Sequence, residues 1–350
     1  TDRLDVNLSF VGAYGSVQAP ADGPNTDVRA TSFVPLPMMT AAYRLTERLA
    51  AGVFFYTPSG AGATFDDVSF GVPGLPPRPF GTSMYDFEGG PALAFRLPWR
   101  LNLGIAYRMT WVRGRLRGYD PASLASGIPL YAETSMSGTD FTGFKIGVQA
   151  NPTSRLKLGL AYRTPIAVDL SGKTSVTDVA TSAVAEMDIT ARVKNVDKLL
   201  AGVTYEWIEG MFLTSLDYER QFYSRSSDIV VVSAAGSMNT PQRFSDSNIL
   251  RLGGEVRVKP NVPLRLGVGF FDDFRDHAYL NATSGGAPAP TYLVSMGAGW
   301  GITRTLSLEL SYTLMSNSGT LGAAGLAPTG TAGEYSSTTQ AFSLNVGFQS

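Results

Sequence analysis

The chain has 350 residues, a net charge of −1 and no cysteine, which removes disulfide frameworks, thiolate metal sites and the basic excess expected of a nucleic-acid binder. Only 16% of residues are charged, glycine (38) and proline (21) are plentiful, and mean hydropathy is +0.03. No run of about 18 apolar residues free of Gly, Pro and charge occurs, so a transmembrane helix is excluded.

The organising signal is period-two alternation, repeated from one end to the other. It starts almost at once, with Leu4, Val6, Leu8 and Phe10 set against Asp5, Asn7 and Ser9, and Thr1 reads as the trimmed start of an exported chain. The clearest stretch is Trp99–Trp111. Trp99, Leu101, Leu103, Ile105, Tyr107, Met109 and Trp111 form an apolar face, opposed by Arg100, Asn102, Gly104, Ala106, Arg108 and Thr110. The two tryptophans lie about 40 Å apart on a strand rising roughly 3.3 Å per residue. At a tilt of about 40° that is roughly 30 Å along a membrane normal, the separation of two interfacial aromatic girdles.

Leu156, Leu158, Leu160 and Tyr162 then alternate with Arg155, Lys157, Gly159, Ala161 and Arg163. Residues 186–208 read as one long bulged strand, with an added hairpin as the alternative. Leu250, Leu252 and Val256 alternate with Arg251, Gly253, Glu255 and Arg257, and Leu306, Leu308, Leu310, Tyr312 and Leu314 with Ser307, Glu309, Ser311 and Thr313. Phe342, Leu344, Val346 and Phe348 close the series against Ser343, Asn345 and Gly347. A cation at mid-bilayer costs about 2–4 kcal/mol, so the charged rows face a polar lumen.

Short links fall at 46–48, 98–99, 151–154, 209–210, 259–263 and 303–304. Long Gly/Pro/Ser/Ala-rich links fall at 17–30, 58–83, 118–134, 178–185, 227–246, 276–290 and 319–336. Their alternation predicts an all-β, transmembrane antiparallel β-barrel of 14 strands, with short periplasmic turns, long extracellular loops and both termini periplasmic. Residues 1–350 form a single domain in this reading.

Two stretches resemble the FadL/TodX (OmpP1) transporters of long-chain fatty acids and hydrocarbons. They are Asn151–Thr174 (NPTSRLKLGLAYRTPIAVDLSGKT) and Ala42–Gly60 (AYRLTERLAAGVFFYTPSG), the latter ending in P-x-G. The resemblance implies a 14-strand barrel in the outer membrane of a Gram-negative bacterium, passively taking up hydrophobic small molecules. Family members also carry a lumenal hatch before the first strand. This chain enters its first strand at Leu4, so the hatch is expected to be missing from this stretch of sequence. Arg265–Asp276 also departs from the family by lacking its Pro-containing end.

Candidate ligand-binding residues follow from both sources. Phe54, Phe55, Tyr56 and Pro58 end the third strand, where the resemblance implies an inward kink and lateral opening. Leu124, Ile128, Leu130 and Tyr131 make the link 118–134 unusually apolar, and the resemblance implies an external capture groove there; a loop folding over its neighbours explains them equally simply. Arg100, Arg108 and Arg163 are inward cations suited to a carboxylate head, alongside Arg44, Arg96, Lys145, Lys157, Glu255 and Glu309, which otherwise form wall-solvating charge networks. Inward Gly104, Gly147, Gly159, Gly202, Gly253, Gly267 and Gly269 either leave room for a plug or ligand or relieve crowding in a coiled sheet.

No enzyme is expected, because barrel hydrolases need a histidine beside a Ser or Asp and the one histidine, His277, sits in the loop run Asp272–His277. That acidic run reads as a solvated rim, with a divalent cation or bridged lipopolysaccharide phosphates as the sharper option. No cofactor or metal is expected. Expected partners are a hydrophobic solute, membrane lipid or lipopolysaccharide, and a protein docking on loops or the periplasmic end. A polar-solute porin and a structural barrel of a surface or secretion assembly remain open alternatives.

Overall fold

A computed structural model describes residues 4–350 apart from 21–28, 70–73, 120–122, 124–126, 128, 227, 235, 241–242, 283–285 and 328–329. The strands are β1 (Leu4–Gln18), β2 (Arg29–Arg44), β3 (Leu49–Val68), β4 (Arg78–Leu97), β5 (Leu101–Tyr119), β6 (Leu130–Ala150), β7 (Leu156–Arg163), β8 (Ile166–Asp178) and β9 (Val184–Asn195). They continue as β10 (Lys198–Ile208), β11 (Phe212–Gln221), β12 (Ile229–Ser233), β13 (Gly236–Thr240), β14 (Ser247–Lys259), β15 (Val262–Phe271), β16 (Thr291–Gly301), β17 (Leu306–Leu321) and β18 (Gly333–Gln349). All pair antiparallel in one meander, and β1 closes it by pairing with both β2 and β18. β7 with β8, and β9 with β10, each form one interrupted stave, while β12 and β13 make a hairpin beyond β11 and β14, so the closed barrel has 14 staves. Residues 186–208 thus hold one broken stave and no added hairpin. Among the described residues no helix is long and apolar enough to cross a membrane.

The staves turn tightly at one end, the turn end, by a repeated device. Thr46, Thr153 and Thr303 each accept two backbone N–H groups on Oγ1, from Arg48 and Leu49, Arg155 and Leu156, and Thr305 and Leu306. A hydroxyl that satisfies two amides lets the chain reverse without water or glycine. At 98–100 the reversal instead uses two left-handed residues, Trp99 (φ 59°) and Arg100 (φ 60°), so the strand begins at Leu101. Arg100 is therefore an exposed turn residue and not the inward wall residue expected from the alternation.

At the opposite, loop end the links are shorter than expected because strand pairing continues past the apolar band. β3 and β4 run through most of 58–83, and β5 and β6 through both ends of 118–134. The link expected at 178–185 is a tight turn, in which Asp178 accepts the backbone N–H groups of Ala180 and Ser182.

Outward residues form a lipid-facing band. Leu8, Phe10, Leu103, Ile105, Leu158, Leu160, Leu252, Leu266, Val294, Leu310 and Phe342 are all exposed. Trp99, Trp207 and Trp300 lie at its turn-end margin, and Tyr14, Phe33, Trp111, Phe141 and Tyr292 toward the other.

At one level of the barrel the alternation changes phase. On β7 the inward residues are Lys157, Gly159, Ala161 and Arg163; past Thr164-Pro165 the inward residues of β8 are Ile166, Val168 and Leu170, three of the most buried side chains. Three positions instead of two or four separate Arg163 from Ile166, which swaps the faces. The neighbouring stave does the same at Val196-Asp197: Leu199, Ala201 and Val203 of β10 face out, whereas Ile189, Ala191 and Val193 of β9 face in. β6 shifts register opposite Arg108–Thr110, and β3 at Thr57-Pro58.

The orientation of β5 carries a direct test. Leu103→Arg should destabilise the barrel by about 2–4 kcal/mol, the cost of a cation facing lipid. Asn102→Arg, facing the lumen, should be far milder. Urea unfolding in lipid vesicles reads both, and equal losses would mean that the faces of β5 are reversed.

Candidate functional site

Four inward side chains, from β3, β4, β5 and β7, meet at the level of the phase change. Glu88 Oε2 accepts from Arg108 Nη2 and from Arg163 Nη2, each at 2.7 Å, and Glu88 Oε1 accepts from the Tyr56 hydroxyl at 2.7 Å. Glu88 and Arg108 are each 1% exposed. Arg108 Nη1 donates to the carbonyl of Thr164 at 2.8 Å, and the Thr164 hydroxyl accepts from the Phe144 backbone N–H. The interruption before Pro165 leaves backbone groups without ladder partners, and these side chains supply them. Beside it, Asn195 donates to Asp86 at 2.9 Å, while Asp197 accepts from Tyr162 and pairs with Arg225. Arg108 Nε, Arg163 Nε and Thr110 Oγ1 are buried with no hydrogen-bond partner among the described residues.

Between this charged centre and the loop end the inner wall is apolar: Val112, Met136, Ile166, Val168, Leu170, Ile189, Ala191 and Val193 form one buried cluster. A second apolar cluster caps the opposite side of the mouth. There Phe65 and Val68 at the end of β3 pack with Ala19, Ala30 and Tyr335, and with Leu280, Ala282 and Ala287 from the link after β15.

Toward the turn end the lumen opens into a cavity of about 790 Å³ lined by small residues, among them Ala42, Gly52, Ala94, Gly104, Gly147, Gly159 and Gly202. A Cβ added at Gly159 meets nothing within 4 Å, so glycine there leaves space and is not demanded by the backbone. A second cavity of about 520 Å³ is polar, lined by Gly253, Gly267, Ser295 and Ser311 beside the network in which Arg265 bridges Glu255 and Glu309.

The wall itself is incomplete between β2 and β3. Their pairing runs only from Arg44↔Ala50 to Met39↔Phe55, although β1–β2 continues to Gln18↔Arg29 and β3–β4 to Val68↔Arg78. Pro35 and Pro37 sit within the unbroken β1–β2 ladder, so the side on which they lack an N–H faces β3. Pro58 lies in the register shift of β3. Three prolines thus face or flank one seam.

Of the candidate residues, Phe54, Tyr56, Arg108 and Arg163 come together here, with Phe54 and Tyr56 rings 5.9 Å apart and Pro58 at the adjoining seam. Leu130 and Tyr131 belong to β6 at the rim. Tyr131 is pinned by its hydroxyl to the Pro79 carbonyl, packs edge-on against Tyr119 and lies under Arg78, so it is a buried wall residue and not part of a free loop groove. Leu124 and Ile128 lie outside the described residues, and Arg100 is in the turn. The acidic run 272–277 is occupied internally: Asp272 accepts from Asn248, Asp273 pairs with Arg275 and His277, and Asp276 caps Ala278. Glu88 was missed because it lies just beyond the link expected at 58–83, and its only local signal is a carboxylate, two residues after Asp86, before Gly89-Gly90-Pro91.

Across residues 4–349 the chain matches the family model described as outer membrane protein transport protein (OMPP1/FadL/TodX). Its fold is similar to the crystal structure of a Pseudomonas aeruginosa FadL homologue, with a TM-score of 0.84 at 17% identity over 99% of this chain and 90% of that one. It is similar also to the toluene transporters TodX of Pseudomonas putida (TM-score 0.75, 15% identity, 100% and 89% covered) and TbuX of Ralstonia pickettii (0.75, 14%, 100% and 90%). At these identities the likeness establishes the fold. Among curated proteins none matches the chain by sequence.

Removing the carboxylate at the centre should be severe. Glu88→Gln leaves two buried guanidiniums without a counter-charge and should cost about 3–5 kcal/mol of stability. Tyr56→Phe, which removes one hydrogen bond to a charged group, should cost about 1.5–3 kcal/mol. Urea titration of both variants in vesicles checks the order, and a Glu88→Gln protein as stable as the parent would show that the centre is already neutralised otherwise.

Proposed function

Because the chain belongs to the family of outer membrane protein transport proteins (OMPP1/FadL/TodX), we propose that it is a passive channel bringing hydrophobic small molecules, fatty acids or hydrocarbons, through the outer membrane in which its barrel sits. The observation that carries this reading is the inner wall of the loop-end half. A porin for polar solutes needs a wet lining, whereas here Val112, Ile166, Val168, Leu170, Ile189 and Val193 face inward. Apolar linings with a few placed polar groups are what small hydrophobic ligands select.

The route we infer starts at the loop end, taken as extracellular, and follows that wall to the charged centre. It leaves sideways through the β2–β3 seam, where Leu36, Met38 and Phe54 are on hand, or continues into the small-residue cavity. The termini are then periplasmic. The documented relatives TodX and TbuX are toluene transporters, which favours a neutral hydrocarbon; the pairing of Arg108 and Arg163 with Glu88 supports the same choice, since both guanidiniums already face a carboxylate.

Three experiments test the reading. Impermeant thiol reagents on intact cells should label cysteines placed at Ser237 and Gly322 and spare those at Ser154 and Glu209; the opposite pattern would invert the topology. The absence of native cysteine allows a reversible lock on the seam, because the Cβ position of Gly60 lies 3.2 Å from Val34 Cγ1. The V34C/G60C protein should lose uptake of labelled toluene or oleate when oxidised and regain it on reduction, and full uptake in the oxidised state would remove the seam from the route. Gly159→Phe should leave stability within about 1 kcal/mol, as its site is open. It should reduce uptake only if molecules also descend through the turn-end cavity.

A further inference from the structure

On the outer surface of β5, directly above Trp111, stand Arg113, Arg115 and Arg117 at successive outward positions. Their outward direction follows from Trp111, whose ring lies 5.8 Å from the lipid-exposed Phe141 and which pairs with Phe87 on β4. Three other cations on this face are matched: Arg117 with Glu133 at 3.3 Å, Arg192 with Asp169 at 3.5 Å, and Lys173 with Glu186 at 3.8 Å. Arg113 and Arg115 are exposed and make no ion pair among the described residues. Their cross-strand neighbours carry hydroxyls: Tyr85 and Ser137 flank Arg113, and Ser83 and Ser135 flank Arg115.

Height decides what such a patch meets. With a rise of about 3.3 Å per residue and a tilt near 40°, Arg113 sits about 5 Å and Arg115 about 10 Å above the ring of Trp111. The polar zone of a leaflet is roughly 5–8 Å thick beyond the hydrocarbon. Two forked guanidiniums about 7 Å apart, the lower within that zone and the upper at its outer edge, set among hydroxyls, match a phosphate held there by a lipid.

We propose that Arg113 and Arg115, with Ser83, Ser135 and Ser137, form a binding site on the outer wall for a phosphorylated lipid headgroup of the outer leaflet, that of lipopolysaccharide. The site rests on the reading that the loop end is extracellular. It anchors the wall beside the charged centre to its own annulus of lipid, on the flank of the barrel where β6 and the two staves that follow it change phase.

The test uses the full chain in detergent micelles, with native mass spectrometry to count bound lipid and heat-modifiable gel mobility to confirm folding. The probes are bis-phosphorylated lipid A, its dephosphorylated form and inorganic phosphate. One phosphorylated lipid A should be retained per chain. R113Q/R115Q should weaken it about tenfold or more, as expected for two interfacial cations. Ser135→Glu, which keeps both arginines but adds a carboxylate beside Arg115, should weaken it comparably, and the dephosphorylated lipid should bind wild type as poorly as lipid A binds the variants. Equal retention by wild type and both variants, or displacement by equimolar inorganic phosphate, overturns the lipid site. If the cysteine labelling described above is also as expected, only this proposal falls. Reversed labelling would place the ladder at the other leaflet and overturn both.

Discussion

In a closed barrel every side chain has only two places to go, lipid or lumen, and a single extra residue in a strand exchanges them. This chain makes that exchange at one level in adjacent staves, at Thr164-Pro165, at Val196-Asp197 and in β6 opposite Arg108–Thr110. Apolar residues that cover the outside near the turn end line the inside near the loop end. Everything functional depends on this exchange, because it puts a greasy inner surface on a barrel whose turn-end lumen is polar or lined by small residues.

Interrupting a ladder strands backbone groups, and in a membrane protein such groups have no water to turn to. The charged centre answers that need. Arg108 reaches the Thr164 carbonyl while holding Glu88, Glu88 holds Arg163 one residue before the break, and Tyr56 ties the cluster to β3. A buried ion cluster is a poor source of stability compared with apolar packing, yet breaking one is expensive. Its worth here is geometric: it joins β3 and the β7–β8 stave, whose faces swap at this height, through β4 and β5, whose faces do not.

The β2–β3 seam depends on the same level. Closure removes sheet edges from a barrel, but Pro35, Pro37 and the shift at Pro58 restore a short unpaired edge within the wall. It begins at Phe55, one residue before the Tyr56 that anchors the charged centre. Inner apolar wall, polar anchor and wall opening therefore lie side by side, an arrangement suited to a solute that prefers lipid to water at both ends of its path.

Much of this was legible in the residues alone. Alternation such as Leu156–Arg163 and the strict exchange of short and long links are local, so they revealed the barrel, its 14 staves and the membrane band without tertiary information. The phase of each strand half was not legible. Leu156, Leu158, Leu160, Tyr162, Ile166, Val168 and Leu170 keep one parity in sequence, and nothing local says that the last three have turned inward. Nor could Glu88 be paired with Arg108 and Arg163, since the partners lie 20 and 75 residues away and meet only through strand register. Arg100 shows the opposite case: its alternation was sound, but a left-handed turn took it out of the wall. Periodicity is a property of neighbours along the chain, and so the sequence determined the barrel; which face meets which medium depends on bulges and cross-strand register, and only the folded wall decided that.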